Sequence, residues 1–117
     1  MMQLLLQYGA WIAVGLLIAW TLMRRRGDLA PADARRLFGE GARLVDVRSA
    51  AGFASGYIEG AVNFPVESLD TRLTELGEED RPTILYCASE ARSAMAARML
   101  KARGWTRVHD LGAMSRW

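Results

Sequence analysis

The chain is 117 residues long, which bounds it to one domain. It is 51% hydrophobic, carries a formal net charge of +2, and contains one cysteine and one histidine. A lone cysteine excludes an internal disulfide, and dispersed charges without a basic stripe or interleaved aromatics exclude a nucleic-acid partner.

Residues 4–23, "LLLQYGAWIAVGLLIAWTLM", contain no charged side chain. At about 1.5 Å per residue, a helix of that length matches a hydrocarbon core of about 30 Å. Trp11 falls mid-span, while Tyr8 and Trp20 lie nearer the ends, where aromatic rings favour the interface. Arg24, Arg25 and Arg26 follow at once. A cleaved signal peptide would place its basic residues before the apolar run, and "TLMRRR" offers no small-residue cleavage site. The expectation is a retained anchor over residues 1–27 with its basic flank. The positive-inside rule then puts residues 28–117 on the cytoplasmic side of the inner membrane as a single-pass protein. Without those three arginines the balance is 12 basic to 13 acidic residues, so the basic character belongs to the flank. A lone thiol suits a reducing compartment.

After a linker at Gly27–Asp28, "LAPADARRLFGEG" predicts a short helix, with Pro31 in its first turn and Gly39 and Gly41 ending it. "ARLVDVRS" predicts a strand. "AAGFASGYIEG" is punctuated by Gly52, Gly56 and Gly60 and predicts loop or broken helix. "AVNFP" is a very short strand ended by Pro65. "VESLDTRLTEL" predicts one amphipathic helix with Leu69, Leu73 and Leu76 on one side. "TILYC" is the continuous apolar run of a strand buried on both faces. "RSAMAARMLKARG" is rich in helix formers and ends at Gly104. "TRVHDLG" gives a last strand, and "AMSRW" a terminal piece packed down through Trp117. Helices alternating with strands argue for an α/β domain with a largely parallel sheet.

Cys87 stands between "TILY" and that last helix, with Arg92 close behind. Ligands of open parallel sheets bind where strands end and helices begin. Amides of the loop, the helix N-terminus and the Arg92 guanidinium all favour thiolate over thiol. The competing reading is a small buried hydrophobe, with Arg92 solvated and Ser89 and Ser93 acting as caps. Four residues separate Cys87 from Arg92, one fewer than in the Cys-x5-Arg loop of cysteine phosphatases. The tighter loop suits a single sulfur atom held as a persulfide. His109, in "RVHDL", reads as an ordinary edge or surface residue rather than a base.

Four segments in order, "LVDVRS", "GYIEGAVNFP", "ILYCASEARSAMAARMLKARG" and "RVHDLGAMSRW", resemble the single-domain form of the rhodanese family. The resemblance implies a central parallel sheet flanked by helices, here preceded by one transmembrane helix. It implies a sulfurtransferase in which Cys87 takes the outer sulfur of thiosulfate or of a persulfide donor and passes it to a thiol or cyanide. Carried over by position, Ala88, Ser89, Glu90, Ala91, Arg92 and Ser93 line the substrate site, with loop amides on the sulfur and Arg92 on an anionic donor. Asp46 and Arg48 match the family's Asp-x-Arg and are implied to support the loop; their bland reading is an ion pair at a strand end. No cofactor or metal is implied.

Three positions depart from the family pattern. Glu90 stands where glycine is frequent, so a left-handed φ is disfavoured there and a carboxylate is added beside an anion site. Tyr57 replaces a histidine, and Gly52 replaces an acidic residue. Glu90 turns the expectation from thiosulfate towards a protein persulfide or another less charged donor. It also motivates a competing reading, a non-catalytic module that docks a partner at the membrane.

Overall fold

The computed structural model describes residues 2–25 and 28–117. Four strands form one parallel sheet in the order β2-β1-β3-β4: β1 is Arg43–Asp46, β2 Val62–Asn63, β3 Thr83–Cys87 and β4 Val108–Ala113. The helices are α1 (Met2–Arg25), α2 (Pro31–Gly39), α3 (Ala50–Ala54), α4 (Val66–Leu69), α5 (Leu73–Leu76) and α6 (Glu90–Ala102), followed by a 3-10 turn at Met114–Arg116.

Side chains alternate across the pleat and build two cores. On one face Leu44, Ile84, Tyr86 and Leu111 meet Ala34, Leu37 and Phe38 around α2, closed by Trp117. Trp117 meets Phe38 edge-on, with ring centroids 5.8 Å apart. On the other face Val45, Val47, Leu85 and Cys87 pack against Leu69 of α4, Leu76 of α5, and Ala96, Ala97 and Leu100 of α6. Every residue of β3 is buried, as its unbroken apolar run requires. In α6 the buried positions are Ser93, Ala96, Ala97 and Leu100, an i, i+3, i+4, i+7 stripe whose alanines let the helix lie close to the sheet.

Three details differ from the sequence reading. The segment "VESLDTRLTEL" is two short helices rather than one. Thr71 Oγ1 donates to Ser68 O (2.9 Å), and the Arg72 amide donates to Leu69 O (3.1 Å), tightening the chain into turns. Beside the break, Asp70 pairs with Arg103 (2.7 Å) and the Arg72 guanidinium lies 4.4 Å from the centroid of the Phe64 ring. Second, α6 begins at Glu90, so only Ala88 and Ser89 are loop. Third, β4 carries a bulge opposite Leu85 and Tyr86, where Gly112 takes φ +92°.

The N-terminal segment is a helix of 24 residues with exposed apolar side chains, Trp11 at 74% and Leu16 at 67% among them. Among the described residues, however, no helix is long and apolar enough to cross a membrane. The expected span over 4–23 is therefore not shown: of that run the side chains of residues 6–21 are described, which is shorter than a crossing needs. The side chains of residues 4, 5 and 22–25 lie outside the described set, as do Arg26 and Gly27 of the expected flank and linker.

Candidate active site

Two strand ends build the site. Asp46 ends β1 and is fully buried. Its Oδ1 accepts the Arg48 amide (2.8 Å), which curls the chain back, and its carboxylate takes Arg48 Nε (2.9 Å) and Nη2 (2.7 Å) in a two-pronged pair. These bonds hold the Arg48 guanidinium further above its ordinary value. Arg48 Nη2 also donates to Gly56 O. Asn63 Nδ2 donates to both Asp46 O (3.1 Å) and Arg48 O (3.0 Å), so the "DVR" and "GAVNFP" segments close on each other. The Tyr86 hydroxyl accepts the Ile58 amide (3.2 Å), fastening the intervening loop to the central strand. Burial, and the Asp46 carboxylate, push the Tyr86 phenol up to about 12.

Cys87 is the last residue of β3 and only 1% exposed. It lies on a pocket of about 360 Å³ with Ala88, Ser89 and Arg92 on its own side and Arg48, Ser49 and Gly52 on the other. Ser89 is the N-cap residue of α6, and its side chain makes no capping bond. Glu90, Ala91 and Arg92 form the first turn, whose amides have no acceptor within their own helix. The donors the sequence assigned to a loop are therefore largely those of a helix N-terminus, where an anion gains typically 0.3–1 kcal/mol.

Of the sequence-predicted residues, the structure brings Cys87, Ala88, Ser89, Arg92 and Arg48 together around one space, with Asp46 beneath Arg48. Glu90, Ala91 and Ser93 do not line it. Ser93 is buried and turns inward, its Oγ donating to Glu90 O (3.0 Å). Behind it, burial raises the Asp110 carboxyl against the opposing pull of Ser93. The backbone concern about Glu90 falls away: every left-handed residue described is a glycine, and Glu90 opens a regular helix. Sequence reasoning missed Ser49 and Gly52 as lining residues. Ser49 follows "DVR" directly and caps α3, accepting the Gly52 amide at 3.0 Å. A Cβ on Gly52 would come within 3.2 Å of Ser49 Oγ, so the departure at this position leaves the pocket mouth open. Tyr57, the other departure, stacks on Phe53 with centroids 4.2 Å apart. Among the described residues no group of His, Cys, Asp and Glu is placed to hold a metal ion.

Residues 30–117 match the family described as the Rhodanese-like domain. The chain belongs to that family. It is 39% identical over 77 residues to the uncharacterized protein YqhL of Bacillus subtilis, covering 65% of this chain and 60% of that protein. It is 37% identical over 75 residues to a protein named sulfurtransferase from Allochromatium vinosum, covering 63% of this chain and 69% of the relative. Among solved structures, the human single-domain sulfurtransferase TSTD1 superimposes with a TM-score of 0.68 at 26% identity, covering 76% of this chain and 92% of that one. Sulfurtransferases are among the relatives of this rhodanese-like domain, in which the buried Cys87 ends β3 and shares a pocket with Arg48 and Arg92.

Proposed function

We propose that the protein is a membrane-anchored sulfurtransferase that carries sulfane sulfur on Cys87. The observation that carries this reading is the placement of the only thiol at the end of the central strand, beside a helix N-terminus and Arg92 on one pocket. The thiolate of Cys87 attacks the outer sulfur of the donor. A bond forms between Cys87 Sγ and that sulfur, and the donor's S–S bond breaks. The leaving group departs with the electron pair, as sulfite from thiosulfate or as a thiolate from a persulfide. The product, Cys87–S–S⁻, keeps its charge on the terminal sulfur, where amides of residues 88–92 are available as donors. An acceptor thiolate or cyanide then attacks the terminal sulfur and frees the Cys87 thiolate. Arg92 binds the anionic donor, and Asp46 orients Arg48 against the opposite wall.

Residues 1–27 serve as the anchor and basic flank, and 28–117 as the working domain at the cytoplasmic face of the inner membrane. The exposed apolar side chains of α1 and the arginine run that ends it support this placement.

The test is intact-protein mass spectrometry of the full chain after exposure to thiosulfate or to an alkyl persulfide. A gain of one sulfur atom is expected, reversed by a thiol and absent in Cys87→Ser. No gain with either donor would overturn the assignment.

A further inference from the structure

On the sulfurtransferase reading, the charge around the thiol decides which donors are accepted, and the structure adds a group that the sequence did not. Glu67, on α4, reaches across to α6 and places its Oε1 4.0 Å from Arg92 Nη1. The two helices meet on the Cys87 face of the sheet. Both side chains are more than half exposed, so the pair adds little to stability. Its effect falls on Arg92.

The two cations of the pocket wall are not equivalent. Arg48 is committed: Asp46 takes its Nε and Nη2, and Gly56 O takes Nη2 again. Arg92 has no such commitment to the interior and faces solvent, with Glu67 as its ion-pair partner. The two cations, Arg48 and Arg92, are thus matched by two carboxylates, Asp46 and Glu67. A dianion entering this space competes with Glu67 for Arg92 and meets a surround with no net positive charge to spare. A donor with one charge or none meets half the opposition or less.

We infer that Glu67 is a specificity-determining residue: it competes with an anionic donor for Arg92 and biases the site away from thiosulfate towards persulfides of lower charge. Glu67 touches neither the thiol nor the transferred sulfur; it acts through Arg92.

The experiment compares the full-length wild type with Glu67→Gln in detergent. Second-order rates of sulfur gain on Cys87 are followed by mass spectrometry with thiosulfate, a dianion, and with a monoanionic alkyl persulfide. Glu67→Gln is expected to raise the thiosulfate rate about three- to tenfold, and the persulfide rate by about half as much on a logarithmic scale. The difference is expected to shrink as salt approaches about 1 M, where the Debye length is about 3 Å. Glu67→Lys is expected to extend the rise, which an uncharged packing effect would not do. Equal rates in wild type and Glu67→Gln, or equal changes for both donors, would overturn this inference alone. No sulfur gain from either donor in any of these proteins would overturn the sulfurtransferase reading itself, and this one with it.

Discussion

Asp46 is the side chain on which the site's geometry turns. It is fully buried and satisfied by the Arg48 amide and guanidinium together. Removing one partner of a buried pair leaves a charge without compensation, at about 3–5 kcal/mol. Asp46→Asn is therefore expected to lower unfolding free energy by about 3 kcal/mol in a urea titration, with a smaller loss when Arg48→Met accompanies it. Asp110 gives the opposite sign. Its Oδ1 accepts the Gly112 amide (2.9 Å) and closes the bulge of β4, yet burial raises its carboxyl, with Asp28 and Glu90 adding repulsion. A carboxyl raised by folding binds its proton more tightly in the native state, so stability falls as pH rises from the ordinary aspartate value through the raised one. Asp110→Asn keeps the acceptor and removes the charge. It is expected to flatten the stability profile, with a gain over wild type at pH 7 that vanishes near pH 3.

At the scale of elements, the turn before β2 is the most constrained. Gly60 has φ +90°, and a Cβ there would lie 2.5 Å from Phe38 Cζ, on the α2 side of the sheet. Left-handed φ costs a non-glycine residue about 1–2 kcal/mol, and the contact adds to that. Gly60→Ala is expected to cost at least about 2 kcal/mol, read as a lowered thermal midpoint. Strand β3 and helix α6 were legible in the sequence because an all-apolar run and a four-position stripe have few alternatives. The pairing of Asp46 with Arg48 was legible as a spacing, though its Asn63 brace was not, since it joins residues 17 apart. The split of α4 from α5 was hidden because the leucine spacing does not report the local bonds of Ser68 and Thr71 to backbone carbonyls, which compete with a continuous helix. The start of α6 was misplaced by two residues because "SEARS" has no proline or glycine to mark it. Glu67 escaped notice because its partner is on another helix.

For the whole molecule, a parallel sheet covered on both faces makes the domain self-contained, while α1 leaves apolar side chains outside it. The full chain is expected to stay with membranes after a high-pH carbonate wash, with the domain shielded from protease added outside intact cells. Release into the wash would remove the anchor, and digestion would reverse its orientation. Asp28 and Leu29 donate their amides to Asp110 O (2.9 and 3.1 Å), and Asp28 Oδ1 accepts the Asp110 amide (2.6 Å). The chain is thus stitched to the last strand as soon as it leaves the segment after α1. Only residues 26 and 27 separate Arg25 from Asp28, a leash of at most about 11 Å between Cα atoms. On the proposed anchored reading, Asp28, and with it the sheet edge at Asp110, stays within that short reach of the helix end.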